Sequence, residues 1–366
     1  MEEFRKISIL GVGLIGGSLA LAWKRAKADI HITGFASPET LEKAKRRGAV
    51  DSLAASVQDA VRDADLVVLA SPVSNILATI PKISGYLKAG AIVTDVGGVK
   101  AAITERAAEE FSDDVYFIGG HPMAGSEREG IEAADPFLFQ NAVYVLCPPP
   151  NLPDGLFRQF ASLIDCTGAR ILLLQPDVHD QIAAAVSHLP QMLAVALINM
   201  VGNENENDSR FLQLAAGGFR DLTRIASSPF GMWSDILETN TEFIKKAIDK
   251  FIELFQEYKE NLDSEKLPAI DRAFQEARRL RDSIPRDTKG FLQPLVDVFV
   301  QVEDRPGVIS EISTALYREN INIKDIELLK IREGTGGTFR LSFESESIAD
   351  RAAAIINSVG HEAFRK

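Results

Sequence analysis

Two rhythms of apolar and polar positions alternate along the first third of the chain. The short apolar runs "KISIL" (6–10), "IHITGFA" (30–36), "DLVVLASP" (65–72), "AIVTDVGG" (91–98) and "VYFIGGH" (115–121) read as strands, with helix-spaced stretches between them. That order predicts a parallel, doubly wound sheet. From about 152 to 284 the apolar spacing becomes helical throughout. "HDQIAAAVSHLPQMLAVALINMV" predicts a long buried helix in which Pro190 introduces a kink. The amphipathic, charge-rich stretch 234–282 predicts a dimer-forming bundle. The polar "SIPRDTKG" (283–290) reads as a linker, and the remainder parses as strand, helix, strand, strand, helix and a short final strand. That last order is ferredoxin-like. The expected domains are therefore 1–168, 169–284 and 294–366.

A chain of 366 residues is too long for one ordinary domain. With 46% hydrophobic and 25% charged residues it has the composition of a soluble globular protein. A net charge of −12 without a basic stripe argues against a nucleic-acid partner. It leaves room for a small anionic substrate, because one arginine inside a pocket outweighs a distant surface excess. Cys147 and Cys166 are too few for a disulfide framework and lack metal-type spacing, so a reducing cytoplasm and no metal site are expected. The opening "MEEFRKISIL" runs directly into a strand pattern. No uninterrupted apolar stretch reaches the roughly 18 residues of a membrane span.

The first strand is followed by "GVGLIGG", in which Gly11, Gly13 and Gly16 match G-x-G-x-x-G in a strand–turn–helix context. The first glycine permits a tight turn, the second lets backbone approach a pyrophosphate, and the third lets helix and strand pack closely. Leu14 and Ile15, opening the helix, and Ser71 and Pro72, ending a later strand, complete the candidate cofactor contacts. The second strand should end near an acidic residue for the ribose 2′-hydroxyl, yet Ala36 and Ser37 stand there and Glu39 is displaced. No arginine follows to hold a 2′-phosphate. NAD is favoured on this basis, with NADP the alternative.

The stretch "IGGHPMAGSE" (118–127) sets His121 between a glycine pair and a proline, which places an imidazole at a strand end facing a cleft. His179 and His188 are nine residues apart, so on a straight helix they face opposite ways and at most one lines a given pocket. A purely structural role is favoured for His179, whereas the two roles balance for His188. Asp221 and Arg224, at i and i+3, share a helix face, so the carboxylate can orient the guanidinium toward a substrate carboxylate. A surface ion pair is the alternative. Nearby glycines and Trp233 favour a pocket.

Taken together, "GVGLIGGSLA", "GGHPMAGSE", "SHLP", "GGFRDLTRIA" and "MW", followed by "DRPG" and "NINI", resemble the prephenate dehydrogenases of the tyrosine pathway with a C-terminal ACT regulatory domain. The resemblance spans essentially the whole chain. It implies oxidative decarboxylation of prephenate to 4-hydroxyphenylpyruvate by a homodimer. His121 is then the general base, Ser126 a hydroxyl near the substrate, His188 a second polar contact and Arg224 the carboxylate-binding arginine. Trp233 packs the pocket wall or is purely structural. In the ACT segment it implies feedback by an aromatic amino acid, expected to be L-tyrosine, at Asp304, Pro306, Gly307 and Asn322. A dimerisation module without ligand is the alternative.

Two positions depart from the family pattern. Gly98 stands where a serine commonly contacts the catalytic histidine, so Ser126 or a water is expected to substitute, or the histidine is less firmly held. Gln191 replaces a frequent second histidine of "SHLP", which weakens any inference about prephenate against arogenate. An arogenate or dual-specificity cyclohexadienyl dehydrogenase is therefore the near alternative. A β-hydroxyacid dehydrogenase is disfavoured because His188 and Arg224 stand where that class has a lysine. A non-catalytic amino-acid sensor is the remaining class.

Overall fold

A computed structural model describes residues 4–26, 29–125, 128–263, 267–283, 295–332 and 336–365. The chain divides into two compact units, Met1–Gln275 and Glu276–Lys366.

In chain order the first unit contains β1 (Lys6–Leu10), α1 (Leu14–Ala26), β2 (His31–Phe35), α2 (Pro38–Arg46), β3 (Ser52–Leu53), α3 (Val57–Val61), β4 (Leu66–Leu69), α4 (Val73–Ile83), β5 (Ile92–Asp95), α5 (Ala101–Glu110) and β6 (Tyr116–Pro122). β7 (Val143–Cys147), α6 (Asp154–Asp165) and β8 (Arg170–Leu173) follow. The eight strands form one sheet in the order β3-β2-β1-β4-β5-β6-β7-β8. Strands β1 to β6 pair in parallel, whereas β7 runs antiparallel to β6 and parallel to β8.

Strand alternation sends side chains to both faces of this sheet. Ile7, Ile9, Leu66, Val68 and Ile92 join Leu19 and Trp23 of α1 in one core. Leu10, Val67, Leu69 and Val93 join Ile76, Ile80 and Ile83 of α4 and Ile103 of α5 in the other. Both faces are thus covered by helices, which is why the strands read as continuous apolar runs.

The helical half holds α7 (Pro176–Ala183), a π-turn over Ala184–His188, α8 (Leu189–Asn207), α9 (Arg210–Gln213), α10 (Gly217–Thr223), a 3₁₀ turn over Arg224–Ser227, α11 (Phe230–Thr239), α12 (Thr241–Asp263) and α13 (Leu267–Ser283). Pro190 lies inside a longer helix, just after a π-turn, where its missing N–H and its ring disturb regular α-helical bonding. The turn before it widens, with the Leu189 N–H donating to the Ala184 carbonyl. A π-turn thus accommodates the proline, and Pro176–Asn207 is one continuous helix. By length and composition this helix could cross a membrane, and only 28% of its most apolar stretch is buried within the chain.

The second unit contains β9 (Val296–Val302), α14 (Val308–Arg318), β10 (Asp325–Arg332), β11 (Gly336–Phe343), α15 (Glu346–Ser358) and β12 (Glu362–Phe364). Its antiparallel sheet has the order β10-β11-β9-β12. Val298, Val300, Leu341 and Phe343 on the sheet pack against Ile312 and Leu316 of α14 and Ala352 and Ile356 of α15. This is the β-α-β-β-α-β order expected from the sequence.

Candidate active site

The glycine turn after β1 has the shape a dinucleotide requires. Gly11 has φ +103°, and a Cβ there would lie 2.2 Å from the Ala70 carbonyl oxygen. A Cβ on Gly16 would meet the Gly11 carbonyl at the same 2.2 Å, whereas one on Gly13 would meet nothing within 4 Å. The turn is therefore closed on the protein side and open over Gly13, and the α1 N-terminus begins at Leu14 with Ile15 next to it. These residues fit a pyrophosphate at a helix N-terminus. Ser71 and Pro72 end the neighbouring β4 strand at the same carboxyl edge of the sheet, and Pro72 is the N-cap of α4. The Ser74 N–H at the start of α4 donates to Asp235 of α11 at 2.8 Å, tying that strand end to the helical region.

His121 sits near the end of β6, half-buried, where the backbone is anchored from below. Asp95, at the end of β5, accepts from the Gly120 N–H at 3.0 Å and from the Gly97 N–H at 2.8 Å, and it pairs with Lys100. Neither side chain of that ion pair has any exposure. A Cβ on residue 120 would lie 2.4 Å from the Asp95 carbonyl, so only glycine lets the strand approach this closely.

The imidazole itself is held from the helical side. His121 Nδ1 lies 2.8 Å from His179 Nε2, and His179 Nδ1 lies 2.7 Å from Asp180. Asp180 also accepts from the N–H groups of Lys100 at 2.7 Å and Ala101 at 2.9 Å, where α5 begins. Burial holds His121 well below the usual histidine range, and the positive charge of Lys100 adds to the effect. It is a neutral base at physiological pH.

His188 approaches the same place. The Asn240 amide donates to the Asp180 carbonyl at 2.9 Å and faces His188 Nδ1 at 3.1 Å. An amide N–H can only donate, so His188 Nδ1 accepts and its proton sits on Nε2. Burial lowers its pKa to about 4, which keeps it neutral. The Trp233 ring stands edge-on to His188 at 6.0 Å, and its buried Nε1 has no hydrogen-bond partner among the described residues.

The expectation that His179 and His188 face opposite ways is thus corrected. A straight α-helix turns about 100° per residue, and nine residues leave a half-turn offset. The π-turn absorbs one extra residue and reduces that offset to about 80°. His179 then contacts His121, and His188 lies near enough for its charge to act on that ring. His179 is a missed site residue, as are Asp95, Lys100, Asp180 and Asn240; Pro190 inside a helix was the available signal for the π-turn.

Gly98 lies in the loop after β5. A Cβ there would make an ordinary 3.4 Å contact with Ile236, so space does not force the glycine. His179 takes the orienting position on Nδ1 that was expected of Ser126 or a water. Ser126 itself lies outside the described residues.

Arg224 begins the 3₁₀ turn after α10, and that turn is fixed by Gln191, whose amide donates to the Ile225 carbonyl at 3.0 Å. Asp221 and Arg224 are both exposed. Asp221 lies in α10 and Arg224 opens the 3₁₀ turn that follows it directly.

In the second unit a cavity of about 640 Å³ is lined by Asp304, Pro306, Gly307, Ser310 and Phe339 among others. Gly307, with φ +94°, opens α14. Asn322 is exposed in the link after α14 and is not among the lining residues.

A dinucleotide turn and a neutral imidazole at the carboxyl edge of one doubly wound sheet define a nicotinamide-type dehydrogenase. The comparisons with known proteins narrow that class. The profile of the prephenate dehydrogenase nucleotide-binding domain matches residues 19–173, that of the prephenate dehydrogenase dimerization domain 175–276, and that of the ACT domain 296–360. The chain is 35% identical over 354 residues to the prephenate dehydrogenase of Bacillus subtilis (strain 168), covering 96% of this chain and 95% of that one. It resembles the crystal structure of prephenate dehydrogenase from A. aeolicus in complex with hydroxyphenyl propionate and NAD+, with TM-score 0.72, 30% identity and coverage of 77% and 99%. Synechocystis arogenate dehydrogenase follows with TM-score 0.67, 33% identity and coverage of 76% and 99%. The chain belongs to the prephenate dehydrogenase family.

Proposed function

We propose that the protein catalyses NAD-dependent oxidative decarboxylation of prephenate to 4-hydroxyphenylpyruvate, with His121 as general base. The observation that carries this reading is a neutral imidazole at the carboxyl edge of the sheet that also holds the open glycine turn. Prephenate presents a ring hydroxyl, a ring carboxylate and a pyruvyl side chain. His121 accepts the hydroxyl proton while hydride leaves the same carbon. The electrons of the bond between ring and carboxylate then complete the aromatic ring, carbon dioxide departs, and the phenolate oxygen takes the proton back from His121. NAD bound over Gly11, Gly13 and Gly16 supplies the hydride acceptor. Aromatisation supplies the driving force, so the protein's task is to orient the substrate and hold charge.

Arg224 takes a substrate carboxylate, for which a planar guanidinium is suited. His188, with its proton on Nε2, donates to a second substrate oxygen, and Trp233 packs the wall beside it. Ser126 is assigned a supporting hydroxyl. Ser71 and Pro72, with Leu14 and Ile15, line the cofactor beside the glycines.

The protein acts as a homodimer. Val186, Met200, Leu222 and Phe230 of the helical half are exposed in the single chain, and this apolar face needs a cover. Tyrosine regulates through the ACT domain at the cavity containing Asp304, Pro306 and Gly307, with Asn322 reaching it across a paired domain. The two free cysteines, Cys147 and Cys166, accord with a cytoplasmic location.

Initial rates on prephenate and arogenate, each with NAD and NADP and with or without tyrosine, test the reading. Prephenate with NAD is expected to be the preferred pair. An arogenate preference above about tenfold, ~1.4 kcal/mol of transition-state binding, would reassign the substrate. His121→Asn is expected to lower kcat at least about a hundredfold with little change in KM.

A further inference from the structure

Two buried side chains at the site, His179 and Asp180, have no task in the reaction as written. We propose that they are positioning residues that fix the tautomer of His121, holding its proton on Nδ1 and leaving the Nε2 lone pair for the substrate. The proposal rests on the reading of His121 as the base.

The Asp180 carboxylate offers acceptors only, and two backbone N–H groups, from Lys100 and Ala101, already require it in that form. His179 Nδ1, 2.7 Å away, must therefore carry a proton. A neutral His179 then presents a bare Nε2 to His121. At 2.8 Å that nitrogen needs a donor, so His121 Nδ1 carries the proton. The reversed pattern would set a lone pair of His179 against the carboxylate. Asp180 thus reads out through two rings to the reactive nitrogen. His121 Nε2 has no hydrogen-bond partner among the described residues, as a base awaiting substrate requires.

The backbone makes the arrangement rigid. Asp180 is fixed where α5 begins, His179 is its chain neighbour on α7, and His121 is anchored through the Gly120 N–H to Asp95. An Asp-to-Asn change in the orienting residue of serine proteases lowers turnover by about 10⁴ through the wrong tautomer. Here Asp180 Oδ1 accepts from both His179 Nδ1 and the Lys100 N–H, so His179 itself is the position at which to break the relay.

The test uses full-length protein with NAD bound and histidine labelled with ¹⁵N. Only five histidines are present, and the His121 and His179 variants assign their signals. The expected result is an Nδ1–H tautomer for both residues at neutral pH. An Nε2–H tautomer for His121, or a doubly protonated His179, would overturn the proposal. Kinetics supply the second arm: His179→Leu should lower kcat at least about a hundredfold with KM changed less than about threefold. His179→Gln, whose carbonyl can still accept from Nδ1–H, should recover turnover to within about tenfold of wild type. Equal losses in the Leu and Gln variants, both folded, would contradict tautomer control. Undiminished turnover in His121→Asn would instead remove the general-base reading itself, whatever the spectra show.

Discussion

Two polar clusters of this molecule, one in each compact unit, are built to opposite rules. Around His121, the Asp95–Lys100 pair is fully buried and His179 and Asp180 are nearly so, with backbone N–H groups committed to both carboxylates. Beside the ACT cavity, Arg305 reaches Glu311 at 2.7–2.9 Å and Glu303 at 3.5 Å, but these groups are 44%, 45% and 82% exposed. Exposed pairs are worth ~0–1 kcal/mol and exchange readily for another partner. Buried pairs cannot be opened without leaving a charge stranded. The difference matches the proposed tasks: a base must be pre-aimed before substrate arrives, whereas a sensor must trade internal contacts for ligand contacts.

Breaking the buried cluster should therefore have the largest effect. Asp95→Asn leaves Lys100 buried without its anion, and an expected loss of about 3–5 kcal/mol should appear in denaturant unfolding. Unchanged stability would mean that water or another anion reaches Lys100. Acid should also weaken this region. His188 binds a proton below about 6.5 when unfolded but only below about 4 when folded, so between those values the unfolded state holds more protons. Stability should fall as pH drops through that window, by up to ~1.4 kcal/mol per unit from this group, and His188→Gln should flatten the slope. Arg224→Ala should raise KM for prephenate about tenfold, ~1.4 kcal/mol, with a smaller change in kcat.

The second cluster sharpens the contrast from the other side. Arg305→Gln should cost less than about 1 kcal/mol of stability while changing the tyrosine concentration that gives half-inhibition. Ending the chain at Ser283 should abolish tyrosine inhibition and leave dehydrogenase activity. Inhibition that survived would mean tyrosine competes at the active site.

Much of the framework is legible in the chain. "GVGLIGG" announces the β1–α1 turn because its glycines answer local steric demands, and the ACT segment declares its element order through changes of apolar period. The antiparallel β7 and its partner β8 were not anticipated, because strand direction depends on where a long connection returns. The site is half-legible. His121 stands out through its glycine and proline neighbours, but the partners that aim it do not. Asp95 and Lys100 look like ordinary loop charges in "TDVGGVK", and their complete burial arises only from the packing of β5, β6 and α5. His179 is hidden by helix phase: its relation to His188 changes by one residue at a π-turn, and no local pattern other than Pro190 marks it.

The central claim is that a neutral His121 removes the substrate proton. The pH dependence of kcat/KM for prephenate, with NAD saturating, tests it most directly in wild type and His121→Asn. Because the folded pKa of His121 lies well below 6.5, wild type should keep its activity from neutral pH down past 6.5 and then lose it along a single-proton limb. The variant should be at least about a hundredfold slower, with that limb gone. A variant with wild-type rates and an unchanged acid limb would contradict the account.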